Sequence, residues 1–270
     1  MTSHRVLISG AGIAGSTAAY WLARYGWCVS MVEFSSGTRS SGAPVDVRAE
    51  ALQIVSAMGL LPDLRAAATT AARTMIINSR GVAIAQLAAQ NSVARGTSLA
   101  EVEVARPELA RILLSSVGDV ELRTDDSIAA MEQDATGVDV TFDSGLQRRF
   151  DLVIGADGMP ISRIALPRWW YGRIALVGDA ASAASLLSNG STRAIIGART
   201  LARELTATDD HAVALRRYQQ AHQSRTAKAW QVRLAARLLV PATALGISSR
   251  NRVLQAAGLR ERALRTLTPA

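Results

Sequence analysis

Arg5-Val-Leu-Ile-Ser-Gly-Ala-Gly-Ile-Ala-Gly15, followed by Ser16 to Tyr25 at helical period and then Trp27 to Phe34, is the stretch that decides the fold. Arg5 to Ser9 reads as a short buried strand, Gly26 breaks the helix, and Trp27 to Phe34 reads as a second strand with Glu33 near its end. Gly10 lets the chain turn tightly off the first strand. Gly12 removes a Cβ that would block a pyrophosphate, and Gly15 permits close packing of helix on strand. The free amides of the helix N-terminus then receive phosphate charge. Glu33 lies eighteen residues after Gly15, where a carboxylate accepts hydrogen bonds from both ribose hydroxyls. An acid there disfavours a 2′-phosphate and points to FAD or NAD rather than NADP. The glycine spacing alone is weak, and a glycine turn in an unrelated α/β protein is the alternative. Here strand, helix and acid all fall where a dinucleotide needs them.

Outward from this unit, the 270 residues suffice for one large domain or two small ones, and 49% hydrophobic residues is ordinary for a globular chain. No apolar run reaches membrane-spanning length. Met1 to Ile8 carries His4 and Arg5 and no separate secretory segment, and Cys28 is the one cysteine, so a cytoplasmic protein is expected. The net charge of +8 is uneven: residues 1–192 hold 16 basic and 18 acidic residues, residues 193–270 hold 14 and 4. The tail arginines lack interleaved aromatics or a reading motif, so a solvated helical face is expected and nucleic acid is not a partner.

Further along, Ala49 to Met58 reads as a helix, Arg73 to Leu87 as a hairpin and Leu99 to Val104 as a strand. Arg106 to Val117 is helical, with Pro107 in its first turn. Strands follow at Val120–Arg123, Ile128–Gln133, Val138–Phe142, Phe150–Ile154 and Arg173–Val177, and the remainder is largely helical. Asp157 and Asp179 each follow an apolar strand beside a glycine, at the strand edge where open α/β sheets bind ligands. Capping of a turn or helix is the competing role.

Arg106-Pro-Glu-Leu-Ala-Arg111, Asp151 to Gly158 (DLVIGADG) and Gly172 to Ala181 (GRIALVGDAA) resemble, in order, the signatures of single-component FAD-dependent aromatic hydroxylases. Ala43-Pro-Val-Asp-Val-Arg48, with a helix ending MGLLPDLR, is similar to them too. The resemblance implies an α/β fold, an FAD-binding Rossmann-like βαβ core with a reduced substrate-domain remnant and C-terminal helices. It implies that the Gly10, Gly12 and Gly15 loop holds the FAD pyrophosphate and Glu33 the adenosine ribose. Arg106 would lie near the flavin, Asp157 would serve the FAD region and nicotinamide use, and Asp179 would bond the ribityl chain. Arg48 approaches flavin or substrate, or forms a surface salt bridge.

The domains expected are 1–68 and 106–205 for the FAD core, 69–105 for residual substrate-domain strands, 159–171 for a shortened connection and 206–270 for a helical region. Only 21 residues separate Asp157 from Asp179, where members of that family place on the order of 100. After GDAA, Leu186 stands where they carry proline and Asn189 where they carry the first of two glycines. A remnant sheet needs a cover, from a homodimer, a partner or the C-terminal helices.

The implied activity is an FAD oxidoreductase hydroxylating an aromatic or polyketide compound, with NADPH or NADH as transient reductant. The alternatives are a flavin-binding non-redox protein (a cyclase, an isomerase or a structural cofactor) and an inactive truncated homologue. No catalytic residue and no metal cluster stands out. His4, His211 and His222 are read as structural or solvated, and Cys28 as a buried strand residue. Trp169, Trp170 and Tyr171 plug the gap at the shortened connection or stack on a ligand. Residues 227–240, AKAWQVRLAARLLV, present an apolar face suited to core packing.

Overall fold

Val6-Leu-Ile8 and Val29-Ser-Met-Val32 run without a charged residue, and in the computed structural model they become adjacent central strands. The structure describes residues 4–36, 44–69, 73–77, 83–88, 101–156, 166–182 and 190–227, with 249 and 252 singly. The first elements are β1 (Arg5–Ser9), α1 (Ile13–Arg24), β2 (Cys28–Glu33), β3 (Pro44–Arg48), α2 (Glu50–Ala57) and α3 (Leu61–Ala66). Next come β4 (Arg73–Ile77), β5 (Ala83–Ala88), β6 (Glu101–Ala105), α4 (Arg106–Ser115) and β7 (Glu121–Thr124). Then follow β8 (Ile128–Gln133), β9 (Val138–Phe142), β10 (Gln147–Phe150), β11 (Leu152–Gly155), β12 (Trp170–Tyr171) and β13 (Ile174–Leu176). The chain continues through α5 (Asp179–Ser182), α6 (Gly190–Thr206) and α7 (His211–Ala227).

A six-stranded sheet, in the order β12-β13-β11-β1-β2-β7, is parallel except for β12. The chain leaves β1 for β2 on one side, and β11 pairs β1 on the other, so strand order reverses at β1, the kind of place where open α/β sheets bind ligands. Alternation splits the burial: Val6, Ile8 and Met31 join the helical core, while Leu7, Val32 and Val153 pack with Val138, Val140, Phe142 and Phe150. The latter belong to the antiparallel meander β8-β9-β10, which covers the second face. On the first face α1 lies against α4 and α6, and α6 against α7.

The chain forms two compact units, 1–69 with 100–227, and 70–99 with 228–270. Within the second, β4 and β5 pair antiparallel with a register shift between Ile76 and Ile77. The strand expected near Leu99–Val104 is β6, and it pairs antiparallel with β3 in the first unit. Residues 228–240 of the expected apolar helix lie outside the described residues.

Cys28 corrects an expectation. It is exposed, because it opens β2 at the rim of the sheet before the covering layers begin. Three strands were not read from the sequence: β3, β10 and β12, the last of which falls in the connection expected as a loop or turn. Each is short, and β3 is extended only because β6, more than fifty residues away, supplies its ladder.

Beyond β7, Asp125 adopts φ 56° and Asp126 is buried. The Ser144 hydroxyl, then the Ser144 amide, Arg123 and the Ser127 amide, lower the Asp126 carboxyl from 3.8 to about 2, against the opposing effect of burial. A folded pKa below the unfolded one contributes stability above the unfolded value, and that contribution disappears as pH falls through the folded value. Asp126→Asn is therefore expected to melt below the wild type at neutral pH. The gap should close between about pH 4 and pH 2, as thermal melts across that range would show. A gap independent of pH would assign the loss to shape rather than charge.

Candidate FAD site

In-register pairing brings four strand ends level: Ser9 opposes Val32 and Gly155, and Gly155 opposes Leu176. The loop after β1, Glu33 of β2, Ala156 after β11 and Gly178–Asp179 after β13 therefore share the C-terminal edge of one parallel sheet.

The glycine loop carries its own reasons. Gly10 has φ 104°, a region that other residues rarely enter. A Cβ on Gly15 would lie 1.8 Å from the Gly10 carbonyl oxygen and 3.3 Å from the Ala156 Cβ. Gly12 adopts an ordinary φ of −75°, and a Cβ there would meet nothing within 4 Å. Its value is the open space it leaves over the loop. No side chain caps the N-terminus of α1, so its first amides point into that space without a protein acceptor from a capping residue. Glu33 accepts from the Ala11 amide at 2.9 Å through Oε2 and from the Ser35 amide at 3.2 Å through Oε1. These bonds lock the carboxylate beside the loop and leave further lone pairs for ribose hydroxyls.

At the other end, Asp179 opens α5 after Gly178, whose φ is 66° and whose Cβ would strike the Ala14 Cβ at 2.6 Å. The GD turn is thus pressed against the first turn of α1. Arg106, the first residue of α4, reaches Asp179 Oδ2 through Nη2 at 3.4 Å in a half-exposed ion pair. The structure brings these two expected residues together across 73 positions of sequence. Asp157 follows Ala156, whose amide bonds the Ser9 carbonyl at 2.8 Å, and itself lies outside the described residues.

Arg48 takes the salt-bridge alternative: Nε contacts Glu101 at 2.6 Å and Nη2 contacts Asp46 at 2.8 Å. Its amide donates to the Thr192 hydroxyl, which in turn donates to the Asp46 carbonyl at 2.9 Å, stitching the first turn of α6 to β3. Ala49, at φ 43°, turns the chain sharply from β3 into α2.

Two residues here were not read as part of the site, Thr192 and Arg193. Burial pushes the Arg193 guanidinium down, and the Asp179 carboxylate partly offsets that. A cation in the first turn of a helix opposes the macrodipole, and that mismatch was a readable sign of a nearby anion. Trp169 is buried, with its ring 5.8 Å from Tyr218 and 5.7 Å from His222, whereas Tyr171 is 71% exposed.

Residues 3–167 match the family model described as FAD binding domain. The chain belongs to that family. An uncharacterized protein of Mycobacterium tuberculosis (strain ATCC 25618 / H37Rv) is 36% identical over 155 residues, 57% of this chain and 42% of that one. A flavin-dependent monooxygenase of Legionella longbeachae serogroup 1 (strain NSW150) is 33% identical over 155 residues, 57% of this chain and 39% of that one. The chain thus spans about two fifths of the length of these curated relatives. Among solved structures, tetracycline destructase Tet(51) aligns with a TM-score of 0.78 at 20% identity, covering 95% of this chain and 96% of that chain. Klebsiella pneumoniae HpxO, complexed with FAD and uric acid, aligns at 0.73 and 18% identity, covering 94% and 93%. At these identities the structures share the fold.

The FAD binding domain is a flavoprotein fold of the monooxygenase type, and this chain's own residues fit the cofactor. The open space at Gly12, the uncapped helix and the carboxylate of Glu33 suit a pyrophosphate and its ribose. Glu33→Gln is expected to weaken FAD binding about tenfold, roughly 1.4 kcal/mol, because the amide replaces one acceptor oxygen by a donor. Binding of riboflavin phosphate, which lacks the adenosine, should stay unchanged. Equal losses for both flavins by fluorescence titration would remove the ribose role.

Proposed function

We propose that this chain acts as an FAD-dependent oxidoreductase of the aromatic-ring or polyketide hydroxylase kind, reduced by NADH or NADPH. The observation that carries the reading is the meeting of the glycine loop, Glu33, Ala156 and the Arg106–Asp179 pair at one edge of the parallel sheet. The relatives named as flavin-dependent monooxygenases support it.

Bound FAD would supply two-electron redox chemistry and, once reduced, reaction with dioxygen. The chain's part is placement. Glu33 and the α1 amides hold the adenosine and pyrophosphate, Asp179 accepts from the ribityl hydroxyls, and Arg106 orients that carboxylate. In this reading Asp157 serves the same edge and the nicotinamide. Residues 69–105 and 159–171 stand for the substrate-binding part, completed by a homodimer or a partner chain.

A second reading, a flavin protein without useful redox turnover, rests on the 21-residue span between Asp157 and Asp179, which leaves little chain to exclude water from the ring. Anaerobic titration of FAD-loaded protein with NADH and NADPH separates the two. Bleaching of the flavin band, with turnover and peroxide on admitting air, is expected. A flavin that binds but is not reduced by either nicotinamide would leave the non-redox reading.

A further inference from the structure

We infer that the cleft between the β12 edge and α7 binds a small organic carboxylate with a flat apolar body, a proposal independent of the FAD reading. The cleft is open to solvent and has a volume of about 460 Å³, within the range of small-molecule sites. One wall is Arg168 and Trp170; the other is Arg216, Gln219, Gln220 and Gln223, which fall on one face of α7 by their helical spacing.

Charge on this surface is one-sided. Among the described residues neither Arg168 nor Arg216 makes an ion pair and no carboxylate lines the cleft. The Arg168 guanidinium sits 5.7 Å from the Trp170 ring centroid, which orients its donors without neutralising it. Guanidinium forks match a planar carboxylate in a bidentate way, and the exposed carboxamide of Gln220 adds donors beside them. The half-buried Trp170 indole offers apolar surface for the rest of the molecule.

The walls are also held in place. Gln219 accepts from the Trp169 amide at 3.0 Å and donates to the Pro167 carbonyl at 3.0 Å, clamping the β12 segment to α7. Beneath it, Trp169 is 3% exposed and the Tyr218 hydroxyl donates to the Leu176 carbonyl at 3.1 Å. The main-chain walls of the cleft are therefore preformed, and a ligand has only the exposed Arg168, Arg216 and Gln220 side chains to order.

Calorimetric titration of the full chain with benzoate, benzamide and inorganic phosphate tests this. Benzoate is expected to bind saturably and benzamide and phosphate at least tenfold more weakly. Arg168→Gln/Arg216→Gln should weaken benzoate at least tenfold, while Arg217→Gln, on the same helix outside the cleft, should not. Absent saturable binding, equal binding of benzoate and benzamide, phosphate as tight as benzoate, or an unaffected double variant would each overturn the proposal. The flavin absorption of the same samples reports FAD occupancy separately, so loss of one reading leaves the other standing.

Discussion

Gly15→Ala is expected to abolish stoichiometric FAD loading. The added Cβ would sit 1.8 Å from a backbone oxygen, that of Gly10, with the Gly10 carbonyl carbon at 3.0 Å and Ala156 behind it at 3.3 Å. No rotamer relieves a clash between Cβ and main chain, so the β1 loop and the start of α1 must separate. That displaces the amides facing the open space at Gly12 and drags Ala11 from Glu33. A loss of at least about 100-fold in FAD affinity, roughly 2.7 kcal/mol, follows. Overpacking should also cost the apoprotein about 1–3 kcal/mol. Gly12→Ala makes a sharp comparison: its Cβ meets no protein atom, so the apoprotein should melt as the wild type while FAD binding weakens. Equal melting losses for the two variants would mean that the loop is shaped for packing alone.

Trp169→Ala has the second large effect, on folding. The indole is 3% exposed and packs against Tyr218 and the His222 ring, joining the shortened connection to α7. Removing a buried aromatic costs about 3–5 kcal/mol, or roughly 6–20 °C in melting temperature for a domain of this size. Tyr171, two residues on and 71% exposed, should change stability by less than about 0.5 kcal/mol when replaced by alanine. Similar melts for the two alanine variants would refute the plugging role of Trp169. Burial pushes the Tyr218 phenol up, so Tyr218 stays neutral beside the indole at working pH.

The nucleotide end of the site was legible because its chemistry is local. A strand, three glycines, a helix and an acid fall within thirty-three residues, and each constraint acts between neighbours in sequence. The other end was legible only through ordered motifs. Nothing within RPELAR or GDAA taken alone says that Arg106 and Asp179 meet, since the sheet and α4 must first fold to bring them within 3.4 Å. Arg48 could go to a ligand or a salt bridge, and the choice was made by β6, which places Glu101 opposite it in the ladder. Thr192 and Gln219 were missed for the same reason: their hydroxyl and carboxamide bond main chain at positions 46, 48, 167 and 169. Cys28 was misread because strand alternation tells which side a residue faces, not where the covering layer ends.

The FAD site itself is tested most directly by visible absorption of the purified full chain, with the extracted chromophore identified by mass. An oxidised-flavin spectrum at one FAD per chain, as isolated or after incubation with FAD, is the result the geometry of Gly10, Gly12, Gly15, Glu33 and Asp179 predicts. A colourless, folded protein that takes up no added FAD would contradict it.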